Sequence, residues 1–213
     1  YFYELARRLS IDKLVQYADL YGIGQNTGIE TGDAAGWMAT PEKYKELGLE
    51  WTVGAVLQAG IGNGDTMVSP LQLACVANTI ANEGVRYKPY LVDSVWDYNM
   101  EKCIQKTEPE VISRIDLQHG YVYRSVRSGM IQAAANGFPA KYSLQNLGYS
   151  VAIKTGTPQV TGRVQDSTFI GFAPADDPKI AFAGIIEGGE YSKYMIRSIL
   201  KLYEDVYGDM TED

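Results

Sequence analysis

Three short apolar runs near the C-terminal end limit the fold more than anything else in this chain. They are Ser150 to Thr155, Thr168 to Ala173 and Ile180 to Ile186. Their β-branched and aromatic content reads as strand. The links between them are short and carry Gly162, Pro174 and Pro178, which predicts antiparallel neighbours. Helical periodicity dominates elsewhere, so the expected class is α+β, an antiparallel sheet packed with helices. The 213 residues hold one domain with a proper core, and no linker or repeat divides them.

The first strand ends in Lys154-Thr155-Gly156-Thr157-Pro158-Gln159. Alternation puts Lys154 and Gly156 on one face and Thr155 and Thr157 on the other. On a sheet edge this stretch offers a cation, two hydroxyls and free backbone N–H groups. Gly156 removes a side chain that would hold a ligand off the backbone. A carboxylate suits such a place. The plain alternative is a strand running into a turn.

Helices are predicted on either side. Phe2, Leu5, Ala6 and Leu9 share one face, with no cap before them, as if the sequence began inside a helix. Ser10 opens a second run, striped by Ile11, Leu14, Val15 and Ala18 and stopped by Gly22. Tyr21 to Gly36 is glycine-rich loop, and 41–49 is at most two helical turns. Ser69-Pro70 opens a helix with Leu71, Ala74, Cys75, Asn78 and Ala81 on one face and Gly84 as its stop. Leu91-Val92 and Val95-Trp96 form one arm of a hairpin and Lys102-Cys103-Ile104 the other, turning near Tyr98-Asn99. Asp116 to Gly137 is helical, with Val122, Val126, Met130, Ile131 and Ala134 as its stripe. The last helix, Ser192 to Tyr207, presents Met195, Ile199, Leu202, Tyr203 and Val206.

Several function classes are excluded. The net charge of −7 argues against nucleic acid as a partner. One histidine, His119, rules out a histidine metal cluster and leaves a Ser-His-Asp triad poorly served. Neither Gly22-Ile23-Gly24 nor Gly60-Ile61-Gly62-Asn63-Gly64-Asp65 has the setting of a nucleotide-binding loop. Cys75 and Cys103 show no metal or redox spacing, and no disulfide framework is indicated. No apolar run reaches the ~20 residues of a membrane span. A nucleophile here would need a lysine as its base.

Five segments in order resemble the C-terminal part of the transpeptidase domain of class B penicillin-binding proteins. Phe2-Tyr3-Glu4-Leu5-Ala6 is similar to the helix after that family's S-x-N motif. Tyr21-Gly22-Ile23-Gly24 with Thr27-Gly28-Ile29 is similar to its next loop. Ile61-Gly62-Asn63-Gly64 and Ser69-Pro70-Leu71-Gln72-Leu73-Ala74 resemble the stretch written G-Q-G…T-P-L-Q-L-A, with Asn63 for Gln and Ser69 for Thr. Lys154-Thr155-Gly156-Thr157 matches K-T-G-T, and Phe169 to Pro174 the strand after it.

The resemblance implies residues 1–213 to be the C-terminal portion of a transpeptidase domain. It implies a penicillin-binding, serine β-lactamase-like fold, incomplete on its N-terminal side. The activity implied is peptidoglycan DD-transpeptidation, the cross-linking of cell-wall stem peptides through a serine ester that β-lactams trap. Lys154 would place positive charge beside the substrate carboxylate, and Thr155 and Thr157 would offer hydroxyls, Thr157 being the better carboxylate ligand. The backbone N–H near Thr157 would form half of an oxyanion hole, Gly156 would admit the substrate backbone, and Gln159 would touch its rim. No cofactor is implied. The implied partners are the stem peptide, β-lactams and cell-wall synthesis proteins. The parent would be anchored in the bacterial cell membrane through an N-terminal part, with this domain outside the cytoplasm. Two alternatives share the fold: a β-lactam-sensing receptor domain and a catalytically dead scaffold of a cell-wall complex.

Both S-x-x-K matches, Ser10 to Lys13 and Ser198 to Lys201, fail as the catalytic pair. Each lysine points away from its helix's apolar stripe, where it stays solvated rather than becoming a base near neutral pH. Ser198 also follows Lys154, the wrong order for the family. The nucleophile and the second motif are therefore expected upstream of Tyr1, which would leave this chain alone inactive.

Overall fold

Two hairpin connections join the three apolar runs into one antiparallel sheet in a computed structural model that describes residues 1–117, 119–160, 162, 164–208 and 210. The strands are β5 (Ala152–Gly156), β6 (Ser167–Ala173) and β7 (Ile180–Ile186), in the order β5-β6-β7. In register, Lys154 faces Ile170, Thr155 faces Phe169 and Gly156 faces Thr168, while Phe169 faces Gly184 and Gly171 faces Phe182. On one face, therefore, each phenylalanine lies over its neighbour's glycine. A Cβ on Gly184 would sit 2.4 Å from the Phe169 ring, and one on Gly171 2.7 Å from that of Phe182. The small residues make room for the two rings, whose centroids are 6.1 Å apart.

Helices cover both faces. Ile153, Phe169, Ala173 and Phe182 pack with Ile196 and Leu200 of helix α6 (Ile196–Tyr207) and with Ala134. On the other face Ala152 and Phe172 pack with Ala81 of α4 (Pro70–Ala81) and Met130 of α5 (Tyr121–Asn136). The α+β expectation of a sheet between helices is met.

The N-terminal half is tied to α4 through Gln72. Helix α1 (Phe2–Leu20) breaks at Ser10, whose φ of 67° is non-helical, so two helical runs meet where the sequence placed the second start. Only Ala6 and Ile11 are buried there, and the Phe2, Leu5 and Leu9 side chains of the predicted stripe stand exposed. Ala6 meets Gly60, where a Cβ would lie only 2.0 Å from the Ala6 Cβ. Gly60 caps α3 (Val53–Ala59), a helix the periodicity did not predict and which Thr52 caps at its start. A shorter helix, α2 (Pro41–Glu46), is capped by Thr40.

At the start of α4 the Ser69 hydroxyl and the Gln72 side chain form a reciprocal capping box. Gln72 is 1% exposed and does more. Its Nε2 donates to the carbonyls of Gln25 at 2.6 Å and Ala35 at 2.7 Å, and its Oε1 accepts from Ser69 N–H at 2.9 Å. One side chain thus anchors the glycine-rich loop that follows α1.

The remaining strands form a projecting ribbon. Outer strands β1 (Val85–Tyr87) and β4 (Val111–Arg114) pair antiparallel, and so do inner strands β2 (Ser94–Trp96) and β3 (Cys103–Lys106). The predicted hairpin and its turn near Tyr98 are present. Leu91-Val92 instead lies before β2, where the Glu30 carboxylate accepts the Leu91 N–H.

Two helices differ from expectation. α5 begins at Tyr121 rather than Asp116 and buries Tyr123, Met130 and Ala134, leaving Val126 exposed. The tyrosine competes for the core because its hydroxyl finds partners inside, the Tyr21 hydroxyl and the Ile115 carbonyl. Before α6, Ser192–Met195 is a 3₁₀ turn, and α6 buries Ile196 and Leu200 while Met195, Leu202 and Val206 stay exposed. The i, i+3, i+4, i+7 set Ile196, Ile199, Leu200 and Tyr203 faces the sheet, an equally apolar stripe rotated from the predicted one.

Candidate active site

β5 is an edge strand: among the described residues it pairs with β6 alone, and its other edge meets no strand. Alternate backbone N–H and C=O groups on that edge have no strand partner among the described residues. Lys154 is exposed near the end of this strand and donates to the Thr155 carbonyl. Its register partner Ile170 lies on the α4/α5 face, whereas Thr155 shares the α6 face with Phe169. The predicted alternation is thus met for Lys154, Thr155 and Gly156. Thr157, just past the strand, and Gln159, in the following loop, are both exposed.

Gly156 has a second reason to be glycine. A Cβ there would lie 2.4 Å from the Thr168 Oγ1 of the neighbouring strand. The absence of a side chain thus admits Thr168.

Polar groups that the sequence reading missed fix this end of the sheet. Asp166 N–H donates to the Pro158 carbonyl at 3.1 Å, and Asp166 Oδ1 accepts from Gly188 N–H at 2.7 Å. Gln165 Nε2 donates to Glu190 Oε1 at 3.1 Å, and Ser192 N–H to Ser167 Oγ at 2.9 Å. Asp166, Ser167 and Ser192 are buried. They tie the loop after Thr157 to the turn after β7, so the strand end is held from two sides. The only signal in the sequence was the polar pair Asp166-Ser167 set directly before an apolar strand.

The other sequence candidates lie elsewhere. Lys13 is exposed and donates to Gln16 Oε1 at 3.0 Å, and Ser198 and Lys201 are exposed on α6. Both cysteines are free; burial pushes the Cys75 thiol pKa up, in keeping with an inert thiol. Cys75 lines a cleft of about 550 Å³ between α4 and the ribbon, and a second cleft of about 340 Å³ is lined by Asp116, His119 and Tyr123. Lys154 lines neither. β5 instead runs along a sheet edge. No group of three or more histidine, cysteine or carboxylate side chains poised for a metal ion occurs among the described residues.

A sheet between helices, with Lys-Thr-Gly-Thr at the end of its free edge, defines a penicillin-binding transpeptidase fold. Residues 1–202 match the family described as the penicillin binding protein transpeptidase domain, and the chain belongs to that family. It is 32% identical to penicillin-binding protein 2A of Bacillus subtilis (strain 168) over 192 residues, which is 83% of this chain and 25% of that protein. It is 30% identical to the peptidoglycan D,D-transpeptidase MrdA of Escherichia coli (strain K12) over 209 residues, 89% of this chain and 32% of that protein. Among solved structures, the imipenem acyl-enzyme complex of penicillin-binding protein A from M. tuberculosis superposes with a TM-score of 0.80 at 25% identity. That likeness covers 94% of this chain and 43% of the other. The chain thus spans about a quarter to a third of the length of the curated relatives it matches.

Proposed function

We propose that this chain forms one wall of the acyl-transfer site of a peptidoglycan D,D-transpeptidase. The observation that carries the reading is the free β5 edge ending in Lys154-Thr155-Gly156-Thr157. An extended stem peptide adds to that edge as a further strand, held by backbone hydrogen bonds. Its terminal carboxylate meets the Lys154 ammonium and the Thr157 hydroxyl, and Thr155 adds a second hydroxyl. Gln159 contacts the rim.

The serine that attacks comes from outside residues 1–213. Its oxygen bonds to the carbonyl carbon between the two D-alanines and the peptide C–N bond breaks. The serine proton passes, through a lysine base, to the departing D-alanine amine. The backbone N–H near Thr157 stabilises the oxyanion formed on the way. The amine of a second stem peptide then takes the acyl group, releasing the serine. A β-lactam replaces the first substrate and stays attached as its opened-ring ester. The relative captured as an imipenem acyl-enzyme supports this reading, and so does the transpeptidase name of the E. coli relative. Neither the drug sensor nor the inert scaffold gains comparable support.

In the parent protein this domain lies outside the cytoplasm, tethered to the cell membrane through residues beyond this chain, and works beside other cell-wall synthesis proteins. No helix among the described residues is long and apolar enough to cross a membrane.

Intact-mass spectrometry after incubation with benzylpenicillin tests the division of labour. The full-length parent gains one penicilloyl group on a serine outside this sequence, and the 213-residue chain gains none. An adduct on the isolated chain contradicts the proposal. A stem-peptide cross-linking assay on the parent separates an enzyme from a sensor, which binds the drug but joins no peptides.

A further inference from the structure

The sheet face that carries Lys154 passes from packed to open toward the motif end. Ala152, Lys154 and Gly156 share that face along β5, and Phe172, Ile170 and Thr168 stand opposite them on β6. Ala152 and Phe172 are fully buried under Ala81 of α4 and Met130 of α5. In the next row Ile170 is half-buried and Lys154 exposed. In the last row Thr168 is half-buried, and its β7 partner Ile185 is 40% exposed.

The Thr168 hydroxyl sits in that open row. Its Oγ1 lies 2.4 Å from the point where a Cβ of Gly156 would stand. The oxygen thus reaches the space of an edge-strand side chain, although Thr168 belongs to the inner strand. With no Cβ at position 156, no side chain of β5 screens that oxygen from the free edge. Lys154 and Thr168 are diagonal neighbours on one face, about 7–8 Å apart at the backbone, which a lysine side chain spans. Among the described residues the Thr168 side chain has no hydrogen-bond partner. A half-buried hydroxyl left in that state calls for one. Thr155, by contrast, shares the opposite face with Phe169.

We propose that Thr168 is a substrate-binding residue, whose hydroxyl donates to the carboxylate that Lys154 pairs with. This rests on the transpeptidase reading above and extends the site beyond the motif strand. A carboxylate has two acceptor oxygens, so one takes the ammonium and the other the hydroxyl. Both bonds are charge-assisted, and both come from the same sheet face. Recognition of a free carboxylate then depends on a hydroxyl from the neighbouring strand as well as on the lysine.

The test uses the full-length parent, acylated by benzylpenicillin and by its methyl ester, which has no free carboxylate, with rates read by intact mass. Thr168→Val removes the hydroxyl and keeps the branched shape that suits a strand. It slows acylation by benzylpenicillin about tenfold and leaves the rate with the ester within about twofold of wild type. Thr168→Ser keeps the hydroxyl and restores the wild-type preference for the free carboxylate. A threonine that serves only the packing of the sheet lowers both rates alike or neither. An unchanged preference in Thr168→Val, or one that Thr168→Ser fails to restore, therefore overturns the proposal. So does a wild type that takes both compounds equally well. A wild type that benzylpenicillin does not acylate at all overturns the transpeptidase reading instead.

Discussion

Gly156 shows how one position serves the fold and the site together. Its missing Cβ leaves room for the Thr168 hydroxyl, 2.4 Å from where that atom would stand. Gly156→Ala therefore pushes against a short side chain on the adjacent strand, at the strand end that would hold the substrate. Overpacking of this kind costs about 1–3 kcal/mol. In urea unfolding, Gly156→Ala lowers the midpoint at an unchanged slope, and Gly156→Ala/Thr168→Ala recovers most of the loss. A double variant no more stable than the single one would show that the contact is not the cause. Lys154, by contrast, is exposed, and its replacement should leave stability nearly unchanged.

At the scale of elements, the β6–β7 pairing is set by size complementarity. Phe169 lies over Gly184 and Phe182 over Gly171, between strands whose other residues pack against helices. Gly184→Ala places a methyl group 2.4 Å from the Phe169 ring and costs about 1–3 kcal/mol, read as a lower midpoint of denaturation. A neutral result would mean that the ring tilts away freely.

The strands themselves were legible in the sequence because apolar β-branched runs with Pro and Gly in short links have few alternatives. Lys154, Thr155 and Gly156 could be placed because a strand has a fixed two-residue period. The helical stripes of α5 and α6 were not legible to the same degree. Each carries one broad apolar face, and only the position of the sheet decides which part of it is buried. α3 is 7 residues long, too short for periodicity to declare itself. The polar ties of Asp166, Ser167, Ser192 and Gln72 join residues far apart in sequence, which no local pattern encodes.

Over the whole molecule, the glycine-rich loop after α1 is held by two carboxylates as well as by Gln72. Asp33 accepts the Thr27 N–H at 3.0 Å and Glu30 the Leu91 N–H at 3.0 Å. Burial acts to raise the Asp33 pKa, but hydrogen bonds from Thr27 and Asn26 outweigh it and the net shift is downward. Backbone hydrogen bonds, its own and that of Leu91, likewise lower Glu30. A depressed carboxylate contributes stability that is complete above its unfolded value, about pH 4, and lost as pH falls through the folded value. The unfolding midpoint is thus insensitive to these groups from pH 7 to about 5 and falls below about 4. Asp33→Asn makes that acid fall shallower. An unaltered slope would remove Asp33 from the explanation.

The same molecule presents a free strand edge whose end carries Lys154 and Thr157, and the functional reading rests on that edge. The most direct test is the rate at which benzylpenicillin acylates the full-length parent with and without Lys154→Ala, measured by stopped-flow or quenched-flow mass spectrometry. If Lys154 meets the substrate carboxylate, acylation slows by about 100-fold while the urea midpoint stays where it was. Unchanged acylation in a folded variant would contradict the assignment of this strand to the acyl-transfer site.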